Sequence, residues 1–301
     1  MSCSILTVIC ERDLALFELQ AESFSLYLAP GHMIIIVINE NNPASCLEYY
    51  QKNISKYLKE HTVTIFNKGD FDVDWDRHHK SHYEGWANQQ IIKLIVAEKI
   101  KTKAYLILDS QNFLYKSFNL ITVIQHSQYP YRKSQMVMPG SIWDSYSQNL
   151  NYNEPVPDYE IMSICTPIYF DTKLVQSAIA EHNGSRLFIK WFSSLSQIKS
   201  EFIWYYIWAE THGGIEKYHY PIEPIDDWAQ PYLRDSKNFD TDVDNFISRL
   251  GKHPPHRWAS INHRAWGDMT DGQYEKIVDK LGIFGLHPNF ELYRQNYIVQ
   301  N

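Results

Sequence analysis

Four short apolar runs constrain this chain more than any other feature. They are Ser4 to Cys10 (SILTVIC), Met33 to Ile38 (MIIIVI), residues 63–68 (VTIFNK) and Tyr105 to Leu108 (YLIL). Each has strand length, and all but the half-polar VTIFNK are apolar almost throughout rather than alternating, which is the pattern of strands buried on both faces. Between them lie segments with helical spacing of apolar residues. Residues 13–28 form one, with Asp13 placed as its N-cap; residues 44–60 and Trp86 to Ile100 form two more. Strands alternating with helices predict an α/β fold, a mostly parallel central sheet with helices on both faces. Ligands in such sheets bind outside the carboxyl ends of the strands. The polar residues that follow the strands are therefore the ones to watch: Cys10 to Asp13, Asn39 to Asn41, and Asp109 to Gln111.

The second half is less regular. Residues 139–158 read as a long polar and aromatic loop, a lid or acceptor loop. Residues 160–170 read as a strand, and residues 186–211 carry a helical pattern. The segment HRWASINHRAW (256–266) is strand-like and leads into a helix from Thr270 to Leu281. No internal repeat or low-complexity linker divides the chain, so a single domain over 1–301 is expected.

A net charge of −7 and a pI near 6.0 lack the basic footprint of a nucleic-acid binder, and no nucleic-acid partner is expected. The four cysteines form no CxxC pair and no zinc spacing, so reduced thiols in a cytoplasmic protein are expected. The N-terminus lacks the features of a signal peptide, and no apolar run approaches the roughly 20 residues of a membrane span. The phosphate loops GxxxxGK[ST] and GxGxxG and the hydrolase elbow GxSxG are absent.

Residues 86–111 carry a more specific signal. A helix reading W-x-x-Q-Q-x-x-K-L (Trp86, Gln89, Gln90, Lys93, Leu94) is followed by a turn, an apolar strand and Asp109-Ser110. This segment resembles the donor site of GT-A-type nucleotide-sugar glycosyltransferases, and most of all a bacterial glycosyltransferase-like family found among polysaccharide genes. Weaker similarity extends to Asp13, Ser23, Thr166-Pro167 and Ser200-Glu201. The resemblance implies a GT-A-like (Rossmann-like) fold, with residues 1–125 as the nucleotide-sugar-binding half and 126–301 as the acceptor-binding half. It implies a nucleotide-sugar donor and a saccharide or lipid-linked acceptor as partners. Cys10, Glu11, Asp13, Asn39, Trp86, Gln89, Gln90, Lys93, Asp109, Ser110, Gln111 and Arg264 would then contact the donor.

The chemistry behind that motif is charge neutralisation. Two carboxylates at a strand end hold Mn²⁺ or Mg²⁺, which stabilises the departing diphosphate. Such families write Asp-x-Asp; here the triplet is Asp109-Ser110-Gln111, and Gln111 replaces the second carboxylate with a neutral amide. Two expectations follow. Either Asp109, a late histidine such as His263 and the diphosphate share the metal, which is the favoured version, or Lys and Arg side chains take its place. Glu201, in KSEFIWYY, is the expected general base toward an acceptor hydroxyl. Asp109 and Glu201 are thus the candidate catalytic residues. The alternative is a non-catalytic carbohydrate- or nucleotide-binding protein of the same fold.

Overall fold

In the computed structural model the described residues are 3–75, 84–124, 128–134, 140–152, 161–162, 166–195, 200–222, 232–233, 239–252, 258–261, 265 and 269–281. In chain order the first elements are β1 (Cys3–Ile9), α1 (Leu14–Tyr27), β2 (Met33–Ile38), α2 (Ala44–Tyr49), β3 (Thr62–Asn67), α3 (Glu84–Ile95), β4 (Ala104–Leu108) and β5 (Asn112–Leu114). There follow β6 (Tyr129–Ser134), α4 (Gly140–Asn149), β7 (Ile161–Met162), β8 (Ile168–Asp171), α5 (Thr172–Glu181), α6 (Ser185–Leu195) and α7 (Glu201–Thr211). The last are β9 (His219–Ile222), β10 (Tyr232–Leu233), α8 (Phe239–Lys252), β11 (Trp258–Ile261) and a helix at Asp271–Leu281. Among the described residues no helix is long and apolar enough to cross a membrane.

The central sheet has the order β3-β2-β1-β4-β8; its first four strands are parallel and β8 runs antiparallel on β4. β1 lies in the middle and all seven of its residues are buried, which explains its unbroken apolar run. Successive side chains leave on opposite faces. Leu6, Val8, Ile35, Val37, Tyr105, Ile107 and Phe170 pack with α3, α5, α6 and α7. Ile5, Ile9, Ile34, Ile36, Leu106 and Leu108 pack with Phe17, Ala21 and Phe24 of α1 and Cys46 of α2. The far side of α1, through Leu16 and Leu19, meets Phe113 of β5, Ala259 and Ile261 of β11 and Val243 and Phe246 of α8. Being covered on both sides, α1 is buried nearly all round. Gly31, with φ of +83°, makes the turn into β2 in the left-handed region that a glycine adopts without strain.

The expected mostly parallel sheet with helices on both faces is the architecture found, but several local readings differ. Asp13 does not cap α1 with its side chain; a tight turn at Glu11–Asp13 leads into the helix, and the carboxylate instead accepts from Cys10 Sγ at 3.1 Å. The helix expected over 44–60 is α-helical only to Tyr49, and it continues as a wider turn at Tyr50–Ile54 and a tighter one at Ser55–Tyr57. The helix expected to reach Ile100 ends at Ile95 and tightens over Val96–Lys99. Within the expected loop 139–158, residues 140–149 form α4, which is held by burying Trp143 and Tyr146. These two lie three apart, on one helical face.

Strand order places the ligand crevice. The chain steps outward from β1 to β2 and β3, then crosses back to β4 on the other side of β1. The order therefore reverses between β1 and β4, and the opening at a sheet's carboxyl edge lies at that reversal.

Candidate functional site

A cleft of about 430 Å³ opens at this switch point. After β1 come Arg12 and Asp13; after β4 come Asp109, Ser110 and Gln111; α3 contributes Trp86, Gln89, Gln90 and Lys93; and the start of α7 contributes Ser200, Glu201 and Phe202. The walls thus come from both halves of the chain.

Asp109 is the best-anchored polar group of the cleft. Its backbone N–H donates to Asn112 Oδ1 at 2.7 Å, and Asn112 N–H donates back to Asp109 O at 2.9 Å, closing the turn after β4. Gln20 of α1 braces that turn: its Nε2 donates to the carbonyls of Asp109 and Asn112 at 2.8 and 2.7 Å, while its Oε1 accepts from Thr7 Oγ1 at 2.7 Å. The Asp109 carboxylate accepts from Lys93 Nζ on Oδ1 at 3.0 Å and from Thr166 Oγ1 on Oδ2 at 2.8 Å. Its side chain stays 36% exposed.

Behind Asp109 the site is closed. Lys93 Nζ also donates to Glu201 Oε1 at 3.1 Å and sits 5.2 Å from the centre of the Phe202 ring. The Lys93 side chain is 4% exposed and that of Glu201 only 1%. Burial works against the Lys93 charge, but Asp109 and Glu201 outweigh it and hold the ammonium above the ordinary lysine range. Burial pushes the Glu201 carboxyl up, and Lys93 opposes that rise. Glu201 starts α7, whose N-cap is Ser200; the hydroxyl accepts from Ile203 N–H at 3.4 Å.

Of the expected donor contacts, Asp13, Trp86, Gln89, Gln90, Lys93, Asp109, Ser110 and Gln111 line this cleft, together with Arg12. Trp86 is 45% exposed at the cleft wall. Cys10, Glu11 and Asn39 are not among its lining residues. Asn39 follows β2, one strand away from the switch point, and its Nδ2 donates to the Gly85 carbonyl ahead of Trp86. Cys10 turns its thiol to Asp13; burial, reinforced by that carboxylate, pushes it up to about 12, so it remains a protonated donor. The Glu11 N–H donates to Glu40. His263 and Arg264 lie outside the described residues. Gln20, Asn112 and Thr166 were not foreseen in these roles. For Gln20 no local signal marks the role, since it stands among the polar residues Glu18, Glu22 and Ser23 of α1.

The donor set can be weighed against a divalent cation. Lys93 and Glu201 cancel as a buried pair, and Arg12 and Asp13 face each other at 3.9 Å. Among the described lining residues this leaves the single negative charge of Asp109. An ionised carboxylate offers about four acceptor sites, and two of those on Asp109 are used. This fits one cation held through Asp109 alone, with a bound diphosphate completing its shell. Among the described residues no group of three or more His, Cys, Asp or Glu is placed to bind a metal unaided.

No curated protein matches the chain in sequence. Solved structures do match its fold. Mouse xyloside xylosyltransferase 1, in its apo form, aligns with a TM-score of 0.53 at 9% identity, over 88% of this chain and 99% of that one. The bifunctional glycosyltransferase WbbM, also apo, aligns with a TM-score of 0.55 at 8% identity, over 98% of this chain and 52% of that one. At such identities the likeness is one of fold, and the fold is that of GT-A glycosyltransferases. In sequence, residues 4–244 match a family described as one of unknown function, DUF6492. That match covers most of the chain's length, and the chain belongs to the DUF6492 family.

Proposed function

We propose that this protein is a glycosyltransferase that moves a sugar from a nucleotide-sugar donor to a saccharide or lipid-linked acceptor. The observation that carries the reading is the position of Asp109: it ends the strand beside the switch point of a GT-A fold and faces the cleft with a partly exposed carboxylate. Trp86 supplies an exposed aromatic face for a base or a sugar ring. Gln89, Arg12 and Ser110 supply donors for hydroxyl and phosphate oxygens. A divalent cation, when bound, neutralises the leaving diphosphate; Asp109 is the residue that would hold it, and the rest of its ligands would come largely from the donor. Affinity for Mn²⁺ without nucleotide should therefore be poor. The resemblance of residues 86–111 favours surface-polysaccharide assembly as the setting.

The test is a panel of sugar nucleotides, assayed for binding and for donor hydrolysis with Mn²⁺ or Mg²⁺. Binding and slow hydrolysis of one donor, with the hydrolysis and the metal-dependent part of the binding lost in Asp109→Ala, support the reading. A second reading, a binding protein of the same fold without transfer, is favoured by Gln111 and by the burial of Glu201. Donor binding with no hydrolysis or transfer in any acceptor mixture would favour it.

A further inference from the structure

The side chains expected to touch phosphate and acceptor, Lys93 and Glu201, are the two least accessible charged groups of the cleft wall, 4% and 1% exposed. Lys93 directs its ammonium at two carboxylates and the Phe202 ring, and its backbone carbonyl accepts from Tyr105 OH at 3.0 Å. Two of the ammonium's three hydrogens are committed to carboxylates, and the side chain is only 4% exposed, so the charge is spent inside the wall rather than presented to the cleft. Asp109, by contrast, is held from behind on both oxygens, by Lys93 and Thr166, and is the exposed member. The four groups come from α3, the end of β4, the approach to β8 and the start of α7, and Lys93 and Glu201 are 108 residues apart.

We propose that Lys93 and Glu201 are positioning residues: Glu201 holds Lys93, and Lys93 with Thr166 aims the Asp109 carboxylate into the cleft. Glu201 is the counter-ion that lets a lysine be buried there, and it touches neither donor nor acceptor. Partners behind a ligating carboxylate act in this way, and their loss costs about 10–100-fold in affinity rather than all of it. The inference deepens the transferase reading and rests on it only for the ligand used as probe.

Replacing both partners, Lys93→Met with Glu201→Met, removes the pair without leaving an unpaired buried charge, a change that is often neutral for folding. Binding of UDP, GDP and CMP, each with Mn²⁺, is measured for wild type, the double variant, Asp109→Ala, and the double variant carrying Asp109→Ala. The expected result is a loss of about 10–100-fold on removing the pair, and no further loss when Asp109 is already absent, since a residue acting through Asp109 has nothing left to act on. Losses that multiply in the Asp109→Ala background would overturn the proposal. So would a Glu201→Gln enzyme whose kcat falls by about 10²–10⁴ with the donor KM unchanged, the mark of a general base. If wild type binds none of the nucleotides, the transferase reading fails, and a crystal structure of the double variant still decides. A rotated Asp109 supports the positioning role; an Asp109 side chain left in place overturns it.

Discussion

Lys93→Met isolates the buried charge at the centre of the site. The substitution leaves Glu201, 1% exposed, with no counter-ion. If Glu201 stays ionised, an uncompensated buried charge costs about 3–5 kcal/mol. If it takes up a proton instead, the cost is that of protonating a carboxyl whose ordinary pKa is about 4.3, at about 1.4 kcal/mol per pH unit: roughly 4.4 kcal/mol at about pH 7.5, but only about 1.6 kcal/mol at about pH 5.5. The cheaper branch wins at each pH. The direction follows from proton counting. In the variant the folded chain keeps a proton on Glu201 that the unfolded chain releases above about pH 4.3, so the variant's stability falls as pH rises through this range. In wild type Lys93 opposes the upward push of burial on Glu201, so the same slope is present but smaller. Urea denaturation followed by the fluorescence of the nine tryptophans, at several pH values from about 5.5 to 8, reads the difference directly. A penalty of about 3–4 kcal/mol near neutrality that shrinks below about 2 kcal/mol in mild acid is expected. A penalty that is flat with pH, or under about 1 kcal/mol throughout, would refute the buried Lys93–Glu201 pair.

Further predictions rest on other parts of the molecule. Trp86→Ala, at a side chain 45% exposed, should leave Tm unchanged and weaken donor binding by about 1–3 kcal/mol, the usual worth of an aromatic stack on a base; unchanged affinity in a titration would remove Trp86 from the site. Gln20→Leu strips partners from the Asp109 and Asn112 carbonyls and from Thr7, and it should cost about 2–3 kcal/mol in chemical denaturation; a neutral result would mean that the turn is braced elsewhere. His219 is fully buried, and its Nε2 pairs with the Tyr205 hydroxyl; burial lowers its pKa to about 3. The unfolded chain protonates this imidazole below about pH 6.5 and the folded chain does not, so its contribution is complete above that pH and is lost as pH falls toward 3, by up to about 1.4 kcal/mol per unit. His219→Gln should flatten that acid limb in denaturation measured against pH, and an identical limb in the variant would sink the assignment.

What could be read from the sequence, and what could not, divides along physical lines. The central strands announce themselves because β1, β2 and β4 are buried on both faces and so carry unbroken apolar runs. Asp109 was legible for the same reason, as the first polar residue after such a run. Strand order is not written in any local pattern, so Cys10 and Asn39 were expected beside Asp109 with equal weight. Only the reversal between β1 and β4 shows why the cleft takes Arg12 and Asp13 but not Asn39. α4 was hidden by composition: most of its residues are polar, and its helical signal is the pair Trp143 and Tyr146. Glu201 was legible as a residue of interest but not in its surroundings, because the lysine that holds it lies 108 residues away.

The central claim is that the cleft beside Asp109 binds a nucleotide-sugar donor. Isothermal titration of wild type and Asp109→Ala with a panel of sugar nucleotides, each with and without Mn²⁺, tests it most directly. The account predicts that wild type selects one nucleotide class, binds it more tightly with Mn²⁺, shows poor affinity for Mn²⁺ alone, and loses the metal-dependent part of binding when Asp109 is removed. Equal binding by both proteins, or no binding of any sugar nucleotide by a folded wild type, would contradict it.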